Sequence, residues 1–169
     1  CTLAESTQFI PYLERVLEKA RSLTSKKLLA RLDSAHDALE TRVTLASYEK
    51  VSYIIKWNPR RANKKKWAKR IFEEGTVTEP RPGKRVGLLI VHIRQVYQGK
   101  TYQVKRVMRA VERTIDKRGQ LLLTPEIEIE GWWTTLDMPA KDVIRLYEDQ
   151  GASEQINSEI KSDMDMERI

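Results

Sequence analysis

Three long stretches of alternating, β-branched sequence, Arg85 to Tyr97, Thr101 to Ile115 and Gln120 to Thr135, follow one another with breaks only at Gly99 and at Asp116 to Gly119. Short glycine-bearing breaks between strand-like runs make hairpins, so the middle of the chain reads as an antiparallel meander. In the third stretch Glu126, Glu128 and Glu130 alternate with Ile127 and Ile129, which gives that strand one wet face. The rest of the chain has to be built around this meander. Upstream, Phe9, Ile10, Leu13, Val16, Leu17 and Ala20 recur at helical spacing, predicting a helix over Thr7 to Leu23. Lys27 to Leu32 reads as a short apolar strand, Ala35 to Tyr48 resumes helical spacing, and Val51 to Trp57 is β-branched and aromatic enough for a second strand. Helix, strand, helix, strand in that order implies a parallel pair with a crossover. Pro80, Pro82 and Gly83 mark a loop, while Asp137 as cap and Pro139 in the first turn open a last helix. The expected architecture is an α/β fold with a β-rich insertion at about residues 75–131 and a closing helix at about 139–169.

Composition narrows the class. At 169 residues, 40% hydrophobic and 33% charged, the chain suits one soluble globular domain. Its longest apolar run, Leu88 to Val91, is far short of the roughly 20 residues of a membrane span, and its first residues show no basic stretch followed by an apolar one, so a secreted or membrane protein is not expected. A single cysteine, Cys1, excludes an internal disulfide and a cysteine-built zinc site. Cys1 in place of Met, and an uncapped helical pattern running to Ile169, lead us to expect a piece of a longer protein.

Charge is unevenly spread. Residues 1–119 hold 27 Lys and Arg against 12 Asp and Glu, whereas residues 120–169 hold 4 against 12. The basic excess peaks where Lys56, Arg60, Arg61, Lys64, Lys65, Lys66, Lys69 and Arg70 occur without one acid, bracketed by Trp57 and Trp67. Basic side chains with interleaved aromatics suit a phosphate backbone, although a solvated helix face beside a loop has the same composition. A second basic cluster, Lys105, Arg106, Arg109 and Arg113, adds weight to nucleic acid.

Two places carry candidate chemistry. Asp33 follows the strand-like Leu28 to Leu32, and ligands of open α/β sheets gather beyond the carboxyl ends of strands. An Asp there also serves as a helix N-cap, and Asp37 reads as a first-turn acid of the same helix, with His36 as a surface histidine. The second place is near the end of the chain, where steps of three, four and seven put Tyr147, Gln150, Glu154 and Lys161 on nearly one helical face. Polar residues at that spacing otherwise make a solvated face.

The run Tyr-x2-Gln-x3-Glu-x6-Lys resembles the Tyr-x2-Arg-x3-Glu-x6-Lys signature of bacterial insertion-sequence transposases of the DDE type, whose RNase H-like catalytic domain carries a β-strand insertion. Leu-Ala-Arg-Leu-Asp33-Ser-Ala-His-Asp is similar to the segment around that family's second catalytic Asp, and Glu130-Gly-Trp-Trp-Thr-Thr-Leu-Asp137 to the return from its insertion. The resemblance implies Asp33 and Glu154 as catalytic residues and metal ligands, and Tyr147 and Lys161 as contacts to DNA phosphates. Gln150 stands where the family has Arg and lacks its charge and bidentate fork. The family's first catalytic Asp lies on a strand preceding the helix at Thr7, so the expectation is an incomplete RNase H-like domain, inactive by itself. Two Mg²⁺ or Mn²⁺ ions would serve in-line displacement at phosphorus in the complete site. DNA at transposon ends and target, a homodimer on paired ends and a bacterial cytoplasmic, nucleoid-associated location are the implied partners and place. Arg60, Arg61, Lys64, Lys65 and Lys66 are the further DNA-binding candidates. A non-catalytic DNA-binding remnant, or a nuclease without strand transfer, keeps the same architecture. Trp132 and Trp133 point to opposite faces of a strand, so one is expected in the core and the other outward, lying over the insertion or holding an unstacked base.

Overall fold

The computed structural model describes residues 3–149. Helix α1 (Leu3–Leu23) leads into strand β1 (Leu28–Leu32), a short 3-10 turn (Ser34–His36), helix α2 (Leu39–Ala46), strand β2 (Val51–Lys56) and helix α3 (Lys64–Glu74). Four strands follow, β3 (Thr76–Arg81), β4 (Lys84–Tyr97), β5 (Lys100–Ile115) and β6 (Leu121–Thr134), and then helix α4 (Ala140–Glu148). All six strands form one sheet in the order β1-β2-β6-β5-β4-β3, giving a mixed α/β architecture.

The β1–β2 pair is parallel, from Leu28 opposite Val51 to Leu32 opposite Ile55, with α2 in the crossover. The meander is antiparallel throughout. Its β4–β5 hairpin turns at Gln98 and Gly99, with φ of 48° and 75°, the left-handed pair that a two-residue turn matched to strand twist requires. At the β5–β6 turn the Asp116 carboxylate accepts from the backbone N–H groups of Arg118 and Gln120, at 2.8 and 2.9 Å. The last strand then runs past the meander and pairs antiparallel with β2, Ile54 opposite Thr134 and Lys56 opposite Trp132. The β-rich segment is thereby hydrogen-bonded directly onto the parallel pair in one continuous sheet.

Strand alternation sorts the core into two layers. On one face Val51, Tyr53, Ile55, Val91, Met108, Ala110, Ile129 and Trp133 pack with Leu13 and Leu17 of α1, Leu45 of α2 and Ala68 and Ile71 of α3. On the other, Ile54, Val107 and Trp132 pack with Val143 and Ile144 of α4. The close approach of α3 to the sheet depends on Gly75, where a Cβ would lie 2.3 Å from the carbonyl oxygen of Leu88.

Several local expectations change. Residues 76–81 form a strand where prolines and glycine suggested a loop. The outermost strand β3 tolerates Pro80 because the β3–β4 register shifts between Thr78 and Arg81, so the missing N–H falls at an irregularity of the ladder. The helix expected from Ala35 starts at Leu39, since the Asp33 side chain accepts from Ala35 N–H and closes a 3-10 turn, after which the chain extends through Asp37 and Ala38. Asp137 does not cap α4; Pro139 occupies the N-cap position with no side-chain bond.

Both tryptophans at the return from the meander are buried, Trp132 completely and Trp133 at 3% exposure. They do point to opposite faces, but helices cover both faces, so neither ring is outward and the base-holding role is removed. No helix among the described residues is long and apolar enough to cross a membrane.

Candidate nucleic-acid interface at the carboxyl end of the parallel strands

Because β1 and β2 are parallel, whatever follows Leu32 and Lys56 emerges at the same edge of the sheet. Asp33 follows the first and the basic segment follows the second. Asp33 is well exposed, with 70% of its side chain accessible. One carboxylate oxygen accepts from Ala35 N–H at 2.9 Å, so the cap reading and the strand-end reading both describe it. His36 lies 4.0 Å from that oxygen and stacks on Phe9, with ring centroids 4.0 Å apart. It is a half-buried histidine at the surface, with 35% of its side chain accessible.

The far end of the described chain comes to the same place. Arg31 of β1 donates to the carbonyl oxygen of Leu146 in the last turn of α4, at 3.0 Å. The next residue, Tyr147, packs edge-on against Trp132, at 6.3 Å between centroids. Burial raises its phenol above the ordinary value, and the negative charge of Asp33 raises it further. Strand-end carboxylate and helix-end phenol are thus electrostatic neighbours. Gln150, Glu154 and Lys161 lie outside the described residues. Among the described residues no group of three or more His, Cys, Asp or Glu side chains is placed to hold a metal ion, and Asp33 offers one carboxylate.

Across the edge, Arg60 and Arg61 lie in the loop after β2, and Lys64, Lys65 and Lys66 form the first turn of α3; all five are exposed. Asn63 caps the helix by accepting from Lys66 N–H at 3.0 Å. Three cations in a first turn oppose the helix dipole, an arrangement an anion would relieve. No acidic side chain among the described residues pairs with these five, whereas Lys69 and Arg70 pair with Glu73 and Glu74 one turn on.

No family model, curated protein or solved structure matches the chain.

The second basic cluster is not part of this surface. Lys105 donates to the carbonyl of Leu136, Arg109 pairs with Glu130 and Glu148, and Arg113 pairs with Glu128 at 2.9 Å. The β5–β6 register puts β6 glutamates opposite β5 arginines, so the wet face seen in sequence is an ion-pair ladder. Lys56 joins it at 2.6 Å from Glu130. Burial would raise the Glu130 carboxyl, but hydrogen bonds from Lys56 and Arg109 outweigh that and hold it below the ordinary value.

Arg106 is buried, its guanidinium 4.2 Å from the Trp57 ring, 4.7 Å from Trp133 and 4.9 Å from Trp67. Burial pulls its pKa down to about 10, against the pull of Asp37 and with the help of Arg42 and Arg70. Trp57 and Trp67 are therefore core aromatics enclosing a cation, not stacking platforms for bases.

A residue of modest standing in the sequence turns out to be a pivot. Asp37 is 10% exposed and accepts from Arg42 at 2.6 Å through Oδ1 and from the backbone N–H of Asn58 at 2.7 Å through Oδ2. Arg42 also donates to Gln95 of β4 at 3.0 Å and lies over Trp133 at 4.0 Å. No spacing rule signals this network, because its partners come from four separate segments.

Proposed function

We propose that the chain is part of an RNase H-like catalytic domain of a DDE-type transposase, acting on DNA with Asp33 and Glu154 as metal-ligating carboxylates. The observation that carries the reading is the 3.0 Å hydrogen bond from Arg31 to the carbonyl oxygen of Leu146, which ties the strand ending before Asp33 to the helix turn that holds Tyr147 of the signature. The charge of Asp33, adding to burial in raising the Tyr147 phenol, agrees with it. Parallel strands ending at Asp33 and at the basic loop supply the setting, since ligands of such sheets gather at that edge.

In this reading Arg60, Arg61, Lys64, Lys65 and Lys66 hold phosphates, Tyr147 and Lys161 contact the backbone near the reacting end, and Gln150 contributes a neutral hydrogen-bonding group. Asp33 has one carboxylate oxygen free of the Ala35 bond and exposed, as a ligand to a hard cation must be. Mg²⁺ or Mn²⁺ ions would supply an activated water or 3′-hydroxyl oxygen and stabilise the leaving oxygen. The nucleophile's oxygen would form the new bond to phosphorus as the old phosphorus–O3′ bond breaks, its proton leaving to solvent and the departing O3′ taking one up. DNA, at transposon ends and target, is the partner, with a homodimer on paired ends and a bacterial cytoplasmic setting.

A second reading, a DNA-binding protein without turnover, is favoured by the five exposed cations, which have no acidic partner among the described residues and need no metal. Mn²⁺ binding followed by water-proton relaxation separates the two. The catalytic reading expects binding that Asp33→Asn and Glu154→Gln each weaken at least tenfold, with DNA affinity retained. Mn²⁺ binding indifferent to both substitutions would leave the DNA-binding reading alone. Replacing Lys64, Lys65 and Lys66 together by Ala should flatten the log-log salt dependence of duplex binding by about 2.7, at roughly 0.9 per phosphate contact. An unchanged slope would make the basic run a solvated face.

A further inference from the structure

The basic loop is held from beneath by a buried carboxylate. Asp37 uses one oxygen on Arg42 and the other on the backbone N–H of Asn58, the first residue of the loop beyond Trp57. Asn58 passes the constraint on, its side-chain oxygen accepting from Arg60 N–H at 3.2 Å. Ala62 N–H then closes on the carbonyl of Pro59 at 2.6 Å. Arg60 itself has a φ of 33°, in the left-handed region that a side chain with a Cβ enters at a cost, so surrounding bonds must hold it there. Its side chain, and that of Arg61, project from this loop exposed and without an acidic partner among the described residues.

A buried carboxylate needs one cation for charge balance, and Arg42 supplies it. The bond to Asn58 is additional, and it ties the loop to the segment that begins at Asp33, four residues before Asp37. We propose that Asp37 is the positioning residue of the basic loop: through Asn58 it fixes the backbone that presents Arg60 and Arg61 to nucleic-acid phosphates, at a set place relative to Asp33. The proposal rests on the nucleic-acid reading above and names the residue that organises its surface. The groups facing Asp37 are Arg42 of α2, the Asn58 backbone and the charge of Arg106 on β5. Gln95 of β4 anchors the opposite side of Arg42. Asp37 contacts no ligand in this scheme. It acts through the loop, by preorganisation: a loop already in its binding conformation loses little freedom when phosphate arrives.

The test combines a cycle of variants with a probe of loop order. Duplex DNA binding by fluorescence anisotropy is measured across salt for wild type, Asp37→Asn, the pair Arg60→Ala with Arg61→Ala, and all three together. Asp37→Asn is expected to lose about tenfold in affinity at low salt and to flatten the salt slope by up to about 1.8, the equivalent of two phosphate contacts. Added to the arginine pair it should change nothing further, because its effect runs through those side chains. Trypsin should cut after Arg60 and Arg61 several-fold faster in Asp37→Asn, with cutting after Arg118 unchanged. If loss of the Arg42 partner prevents folding, Asn58→Ala leaves the buried pair and the bond to Asp37 intact but cuts the next link, from Asn58 Oδ1 to Arg60 N–H, and the same two shifts are expected at smaller size. Unchanged trypsin cutting in folded variants, or a loss that adds in full to that of the arginine pair, overturns the positioning role. Failure of the wild type to bind DNA instead overturns the nucleic-acid reading, while the trypsin result still decides whether Asp37 orders the loop.

Discussion

Replacing Arg106 by methionine should make the protein more stable, even though the arginine touches three tryptophans. Burial lowers the Arg106 pKa to about 10, well below the ordinary arginine value. At about 1.4 kcal/mol per pKa unit, the fold disfavours the charged form by about 3 kcal/mol. Loss of water around the buried guanidinium is the main cause, and its Nε finds no hydrogen-bond partner among the described residues. Cation–π attraction offsets part of it, at roughly 0.5–2 kcal/mol per ring. Methionine fills a similar volume and makes sulfur–aromatic contacts of roughly 0.3–1.5 kcal/mol each, so exchanging one set for the other loses about 1 kcal/mol. The net expectation for Arg106→Met is a gain of about 2 kcal/mol, or a rise in Tm of roughly 4–8 °C for a domain of this size. Urea unfolding followed by far-UV circular dichroism measures it without relying on the tryptophans. The pH dependence carries a sign of its own. Below about pH 10 both folded and unfolded states are protonated at Arg106 and the cost is present in full. Between that value and the higher ordinary arginine value the unfolded chain binds more protons than the folded one, so wild-type stability gains relative to the variant and the gap narrows. A variant less stable than wild type at neutral pH would refute the reasoning and make the tryptophan cage a net source of stability.

Glu130→Gln should lower stability at neutral pH by roughly 1 kcal/mol, a modest figure because the pair is partly screened by solvent. The Glu130 carboxyl is held below its ordinary value in the fold, so its contribution is present above the unfolded value of 4.5 and fades as pH falls through the folded one. Chemical denaturation at a series of pH values should show the two proteins converging in acid; a constant gap would mean that the Lys56 and Arg109 bonds carry no charge-dependent stability. Asp33→Asn should move one tyrosine titration toward lower pH, and that transition should be missing in Tyr147→Phe, as read by ultraviolet difference spectra. No movement would mean that the Asp33 charge does not reach the Tyr147 phenol and would weaken the catalytic reading.

Much of the chain's local structure was legible in its residues, because alternation and 3.6-residue periodicity are written in neighbouring positions. The meander, the parallel pair, the wet face of β6 and the opposite-facing Trp132 and Trp133 all follow from such patterns. So does the strand-end position of Asp33. What neighbouring positions cannot encode is which distant surfaces meet. That β6 pairs with β2, that helices cover both faces and bury both tryptophans, and that Arg106, Arg109 and Arg113 are consumed inside the fold depend on partners contributed by other elements. Pro80 in an edge strand and Asp37 outside its helix show the same limit at short range: a residue's local preference yields when a tertiary bond, or the absence of a neighbouring strand, changes its cost. Charge counted along the sequence overstated the surface available to nucleic acid for this reason. Composition counts every cation, and only the tertiary structure decides which of them already has an acid or an aromatic ring beside it.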